Sequence, residues 1–228
     1  MKQFRAVLAL FIVVLFSGVV FAGSAGDEAL QKLMDGNKRY VSGSLMKKDI
    51  GETKRKELST KGQKPFAIIL TCSDSRVPPE ILFDQGLGDI FIVRVAGNVV
   101  DPIVLRSIEY GAEHLNAPLL FILGHTKCGA VTATLEILET KGEPCPLAKK
   151  IMPAAEKAKK KGGTKDEVLE TAIKENVKNV YKDVMKSKII SHLVQEDKLK
   201  IVAGEYNITT GKIEMMELSK AAPGKKAH

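Results

Sequence analysis

Two short segments of this 228-residue chain gather side chains that can bind metal or hold protons. The first is Cys72-Ser73-Asp74-Ser75-Arg76 and the second is His125-Thr126-Lys127-Cys128-Gly129. Together they offer two thiolates, one imidazole and one carboxylate, all of which zinc accepts in a tetrahedral shell. Three protein ligands plus one exchangeable position make a catalytic zinc site, whereas four fixed ligands make a structural one. Asp74 decides between the two, because Arg76 gives its carboxylate a cationic partner other than a metal. Alternate side chains of an extended segment share one side, so Cys72, Asp74 and Arg76 are expected to face the same space. His125 and Cys128, three residues apart, are expected to converge at close to one helical turn. Each residue alone has an ordinary explanation: a cysteine buried in a core, a satisfied histidine, an ion pair of little consequence. A Cys72–Cys128 disulfide is the redox alternative, although the chain lacks a Cys-x-x-Cys motif of the thioredoxin kind.

The elements around these segments explain their placement. Phe66–Thr71, Ile90–Val95 and Leu119–Leu123 are compact apolar runs, the pattern of strands buried on both faces. Gly124 is expected to end the third. The chemical segments therefore follow the first and third strands, in the crevice beyond the carboxyl ends where α/β sheets build their sites. Helices are predicted behind an Asp27 cap to about Tyr40, from Asp101-Pro102 to about Asn116, and over 129–140. Thr164 and Glu167 fit a capping box that opens a long helix striped by Leu169, Ile173, Val177, Val180 and Val184. Residues 42–64 read as irregular, 141–165 as loop and short helix, and 221–228 as a frayed tail. Leu199–Tyr206 and Lys212–Met216 read as a last strand and its hairpin partner. The result is an α/β fold, a central mostly parallel sheet flanked by helices, with an extended N-terminal helix and one domain over 23–228.

Charge and cysteine count narrow the function classes. The chain carries 35 Lys and Arg against 27 Asp and Glu, a formal +8. Lys2 and Arg5, the unbroken apolar run Ala6–Phe16, and Val20-Phe21-Ala22 form the tripartite pattern of a secretory signal peptide over 1–22. The apolar run is short for a bilayer span. Without Lys2 and Arg5 the balance is 33 against 27, or +6, and no later stretch is apolar enough to anchor the chain in a membrane. The expected product is exported to a periplasm, an oxidising setting. Between 141 and 200 there are 15 Lys and 9 acidic residues with Tyr181 as the only aromatic. The aromatic interleaving of single-strand nucleic-acid grooves is missing, so these lysines read as a solvated face and no nucleic-acid partner is expected. Three cysteines are too few, and odd in number, for a disulfide scaffold. Cys145 stands outside both chemical segments.

The run Cys72-Ser73-Asp74-Ser75-Arg76-Val77, followed by Gly124-His125-x-x-Cys128-Gly129, resembles the β-class carbonic anhydrase family. The similarity extends from Leu30 through Gly36-Asn37-x-Arg39-Tyr40 to the C-terminal strand. The resemblance implies a zinc lyase that interconverts carbon dioxide and bicarbonate through zinc-bound hydroxide, with one Zn2+ per chain on Cys72, His125 and Cys128. Asp74 and Arg76 are implied as a catalytic dyad, with Asp74 a possible fourth ligand in a closed state. Gln63, Phe91, Ala96, Tyr110 and Gly129 match positions that line the substrate pocket, Gln63 across a dimer interface. A homodimer or higher even homo-oligomer is implied as well. Some members bind bicarbonate at a regulatory pocket containing a Trp; this chain has no Trp, and Ile69 stands at the corresponding position.

Overall fold

The computed structural model describes residues 24–218, so the leader over 1–22 and the tail over 221–228 lie outside the described residues. Five strands, β1 (Ala67–Thr71), β2 (Ile90–Arg94), β3 (Leu119–His125), β4 (Lys200–Tyr206) and β5 (Ile213–Met216), form one sheet in the order β2-β1-β3-β4-β5. The first four pair in parallel and β5 runs antiparallel to β4. The helices are α1 (Ala25–Val41), α2 (Glu52–Lys61), α3 (Pro79–Leu82), α4 (Pro102–Glu109), α5 (Gly129–Thr140), α6 (Pro146–Lys161), α7 (Lys165–Val184) and α8 (Lys188–Gln195). No described helix is long and apolar enough to cross a membrane.

The apolar runs are continuous because parallel strands are covered on both faces. In β1 and β3, Ile68, Leu70, Leu120 and Ile122 enter one core with Val177, Val180 and Val184 of α7. Ala67, Ile69, Leu119, Phe121 and Leu123 enter the opposite core with Ala29 and Leu33 of α1. Ile69 is fully buried there among aliphatic and aromatic neighbours. A third cluster packs α5, α6 and α7 together and includes Cys72 and Cys128, so the site has an apolar floor.

Several boundaries differ from the sequence reading for physical reasons. Ser24, not Asp27, caps α1; Asp27 is the third helical residue, its amide donating to Ser24 Oγ and its carboxylate accepting from the Ser24 amide and hydroxyl in a capping box. Residues 52–61 form α2 although none of its residues is buried, which explains the missing apolar stripe. Residues 146–161 form a sixteen-residue helix, with Pro146 in its first turn and Pro153 tolerated inside. Its core contacts are mostly alanines, Ala148, Ala154, Ala155 and Ala158, a faint hydrophobic signal among lysines. Gly124 does not end β3, which runs on to His125. A Cβ there would lie 2.6 Å from Cγ2 of Val177, so glycine is what lets α7 pack against the strand end. The helix from Pro102 widens into a π turn over Tyr110–His114 before ending.

The N-terminal motif has a structural role. A Cβ on Gly36 would sit 1.7 Å from the carbonyl oxygen of Phe83, so α1 can cross the end of α3 only with glycine at this point. Asn37 donates to the carbonyls of Leu82 (3.1 Å) and Gly211 (2.9 Å) and accepts from the amide of Ile213 (3.1 Å). Arg39 pairs with the buried Asp84. One helical turn of α1 thereby ties α3 to the β4–β5 hairpin. Replacing Asn37 by Leu strands three backbone groups in a dry environment and should destabilise the chain by about 2–4 kcal/mol. Urea unfolding measures this, and an unchanged midpoint would show that the link carries no stability.

Candidate metal centre

The site begins where β1 and β3 end. Their register runs to the pair Thr71↔Leu123, and Thr71 Oγ1 donates to the Leu123 carbonyl at 3.0 Å. Cys72 therefore leaves the sheet beside Gly124 and level with His125. The sulfurs of Cys72 and Cys128 and a ring nitrogen of His125 all lie within 4.8 Å of one another, and all three residues are buried.

His125 and Cys128 do not converge along a helical turn. His125 is the last residue of β3, Lys127 turns the chain with φ +55°, and Cys128 is the N-cap of α5. A left-handed, non-glycine residue at such a corner is the kind of backbone strain that concentrates at functional sites. Asp74 and Arg76 likewise meet through a turn, not an extended segment: the Val77 amide donates to the Asp74 carbonyl, and the Arg76 amide donates to Asp74 Oδ1 at 3.0 Å.

The three-residue cluster fits a metal ion. His125 Nδ1 lies 2.9 Å from the Thr126 carbonyl, which fixes the proton on Nδ1 and leaves the Nε2 lone pair free. That buried Nε2 has no hydrogen-bond partner in the protein, a cost that metal ligation would remove. The two sulfurs divide their titration. Cys72 is held far below the ordinary thiol range, chiefly by its neighbour Cys128, against the opposing effect of burial and with the amides of Asp74 and Gly97 assisting. Cys128 is pushed far up by its neighbour Cys72 and by burial, against the weaker pull of the first amides of α5. With no metal the pair shares a single negative charge; a divalent cation would let both be thiolates.

Asp74 stands beside this cluster without joining it. Its Oδ1 accepts from Arg76 Nε at 2.9 Å and its Oδ2 from Arg76 Nη2 at 2.7 Å, a bidentate pairing. That guanidinium holds the Asp74 carboxyl well below the usual carboxylate range, so it stays ionised. Asp74 Oδ2 lies 3.9 Å from His125 Nε2. Arg76 Nη2 also reaches the Lys127 carbonyl at 3.3 Å, joining the dyad to the corner after β3.

The remaining positions separate. Gly129 is exposed at the start of α5 with open space where its Cβ would be, and Ala96 is half-buried in the turn after β2. Phe91, Tyr110 and Gln63 are not brought to the cluster within one chain. Phe91 pairs with Ile68, three residues before the strand ends meet the site, or roughly 10 Å back along β2. Tyr110 packs on Phe91 at 6.0 Å between ring centroids. Gln63 precedes β1 and lines a groove of about 630 Å³ with Ile50, Arg55, Leu58 and Leu87.

Arg94 is a site residue that the sequence reading passed over. Its Nε donates to the Cys72 carbonyl at 3.0 Å and its Nη2 to the Asp74 carbonyl at 2.7 Å, clamping the loop that carries both residues. The available signal was a lone cation closing the otherwise apolar run Ile90–Val93.

A buried Cys-His-Cys set that could hold a metal ion thus lies at the carboxyl end of a parallel α/β sheet, flanked by an Asp-Arg pair. The carbonic anhydrase family profile matches residues 67–213. The chain is 38% identical over 192 residues to a carbonic anhydrase of Mycolicibacterium smegmatis, covering 82% of this chain and 91% of the relative. It is 51% identical over 107 residues to carbonic anhydrase 2 of Mycobacterium tuberculosis, a stretch covering 47% of this chain and 51% of that protein. Among solved structures it is similar to a β-carbonic anhydrase of Aspergillus fumigatus, with TM-score 0.66 and 26% identity over 86% of this chain and 92% of that one. It also shares the fold of a tetrameric β-carbonic anhydrase of Sordaria macrospora, with TM-score 0.64 and 22% identity over 75% and 89% of the two chains. The chain belongs to the β-carbonic anhydrase family and is an enzyme of that family.

The unequal sulfurs give a direct expectation for the metal-free protein. Because the Cys72 titration is moved down, its thiolate forms at lower pH than an ordinary cysteine and is present at neutral pH. After chelation, ultraviolet thiolate absorbance at pH 7 should correspond to one sulfur of the pair. No thiolate signal at pH 7 would contradict a lowered titration at this pair.

Proposed function

We propose that the chain catalyses reversible hydration of carbon dioxide to bicarbonate and a proton, with one zinc ion held by Cys72, His125 and Cys128. The observation that carries this reading is the grip of Arg76 on both oxygens of Asp74. It leaves three residues for the metal and a fourth position for chemistry. A zinc ion in such a set lowers the pKa of a water from about 15.7 toward 7 and so supplies hydroxide near neutral pH.

The chain's own residues do the rest. Asp74, ionised and immobilised, accepts a hydrogen bond from the attacking oxygen and turns a lone pair of that oxygen toward the carbon. An ionised carboxylate only accepts, so this contact selects an oxygen that still bears a proton. Arg76 keeps the carboxylate charged and aimed, while Arg94 fixes the backbone on which it rides. The apolar floor of Val99, Val131 and Leu135 suits an uncharged gas, and the space open at Gly129 gives it room.

Gln63, Phe91 and Tyr110 enter this scheme through self-association. The groove beside Gln63 is flanked by exposed Ile50 and Leu87, apolar surface that a second copy would cover while supplying these residues to its neighbour's pocket. The tetrameric state of the Sordaria macrospora relative supports this arrangement. We also propose export, with residues 1–22 as a removable leader. Light scattering should give an even multiple of the chain mass, and N-terminal sequencing a start near residue 23. A lone monomer, or a mature chain beginning at Met1, would overturn the respective proposal.

Stopped-flow carbon dioxide hydration tests the activity itself. Purified protein with about one zinc per chain should turn over and lose activity on chelation. Asp74→Asn should keep its zinc and lose at least roughly 100-fold in kcat, the scale of a positioned proton-handling group. Zinc without turnover would favour a site closed by Asp74, and a Cys72–Cys128 disulfide without zinc would favour redox chemistry. Wild-type turnover in Asp74→Asn would remove the dyad's role.

A further inference from the structure

Cys72 receives a hydrogen bond from outside its own loop. The amide of Gly97 donates to Cys72 Sγ at 3.2 Å in a buried setting. Gly97 belongs to the turn Ala96–Asn98 that follows β2, with φ +64°, and Asn98 beside it has φ +43°. A Cβ at Gly97 would lie 2.8 Å from Cδ1 of Ile151 and 3.2 Å from Cβ of Ala130. Gly97 takes this conformation freely, but Asn98 does so at a cost unless its surroundings hold the turn. The hold comes from a distant element. Asn176, on α7, donates from Nδ2 to the Gly97 carbonyl at 2.8 Å, also buried. Asn176 is 2% exposed and sits in the turn between Ile173 and Val177, both core residues. A buried amide on an apolar helix face is costly unless its hydrogen bond repays desolvation, and no family position in the sequence motifs accounts for it.

We propose that Asn176 is a positioning residue for the metal centre, which it influences through Gly97. By holding the Gly97 carbonyl it restrains the turn that carries the Gly97 amide, and that amide donates to Cys72 Sγ and not to Cys128. The two sulfurs become unequal ligands, one of them softened by a hydrogen bond set from α7. Outer contacts of this kind orient ligands and tune the metal they hold. This inference rests on the zinc reading above, and its test separates the two.

The test uses the full chain loaded with Co2+ in place of zinc, together with zinc affinity by chelator competition. Asn176→Leu removes the donor while keeping the side chain's heavy-atom count and branching. A hydrogen bond stabilises sulfur lone pairs, so its loss should move the sulfur-to-cobalt charge-transfer band to longer wavelength. The visible bands of a four-coordinate ion should remain, and zinc affinity should fall by about 10–100-fold. Asn176→Ser, whose hydroxyl is too short to reach Gly97, should behave alike and serves if the leucine variant does not fold. A folded variant with an unshifted charge-transfer band and unchanged zinc affinity would overturn the proposal and leave Asn176 a stability residue only. If the wild-type chain takes up neither Co2+ nor zinc, the metal reading itself fails, and this inference with it.

Discussion

The parallel pairing of β1 with β3 is the constraint on which everything else depends. It puts two chain exits side by side at one level, so Cys72 and His125 arrive together without either segment being bent toward the other. Neither strand end could hold a metal alone. The buried ladder makes the pairing hard to shift, since a one-residue slip would exchange the faces of Ile68, Leu70, Leu120 and Ile122. Thr71 reinforces the last rung from its side chain. Precision at the metal is thus inherited from the two hydrophobic layers that clamp the sheet.

A set of short-range devices converts that alignment into a site. Lys127, in a left-handed conformation, swings Cys128 back toward His125 and starts α5 at once. Arg94 and Arg76 hold carbonyls of the two loops, and Arg76 also occupies Asp74. Both arginines work as forks, engaging two acceptors in fixed geometry. Amides that stabilise a thiolate at Cys72 and a guanidinium that keeps Asp74 ionised separate two tasks. In the proposed reading the sulfurs hold the metal and the carboxylate handles a proton.

Much of this was legible in the residues. The apolar runs gave β1, β2 and β3 to within two residues, because doubly covered strands leave no alternation to misread. The Thr164–Glu167 capping box opens α7 as expected. Residue type and position at strand ends marked Cys72, Asp74, His125 and Cys128 as candidates, and the family resemblance narrowed them to the Cys-His-Cys group that the fold brings together. What escaped has physical causes. α2 buries nothing, so no stripe marks it. α6 meets the core through alanines, whose small side chains vanish among lysines. The approach of His125 to Cys128 depends on one left-handed residue that is not glycine. Gln63, Phe91 and Tyr110 belong to the other end of the strands, a separation that only the register reveals.

X-ray absorption at the zinc edge of the purified protein tests the central claim most directly. The account predicts two sulfurs at about 2.3 Å with one nitrogen and one light ligand at about 2.0–2.1 Å, and a light-ligand shell that changes when azide is added. A shell that azide leaves unaltered, or one with fewer than two sulfurs, would contradict an open position on Cys72, His125 and Cys128.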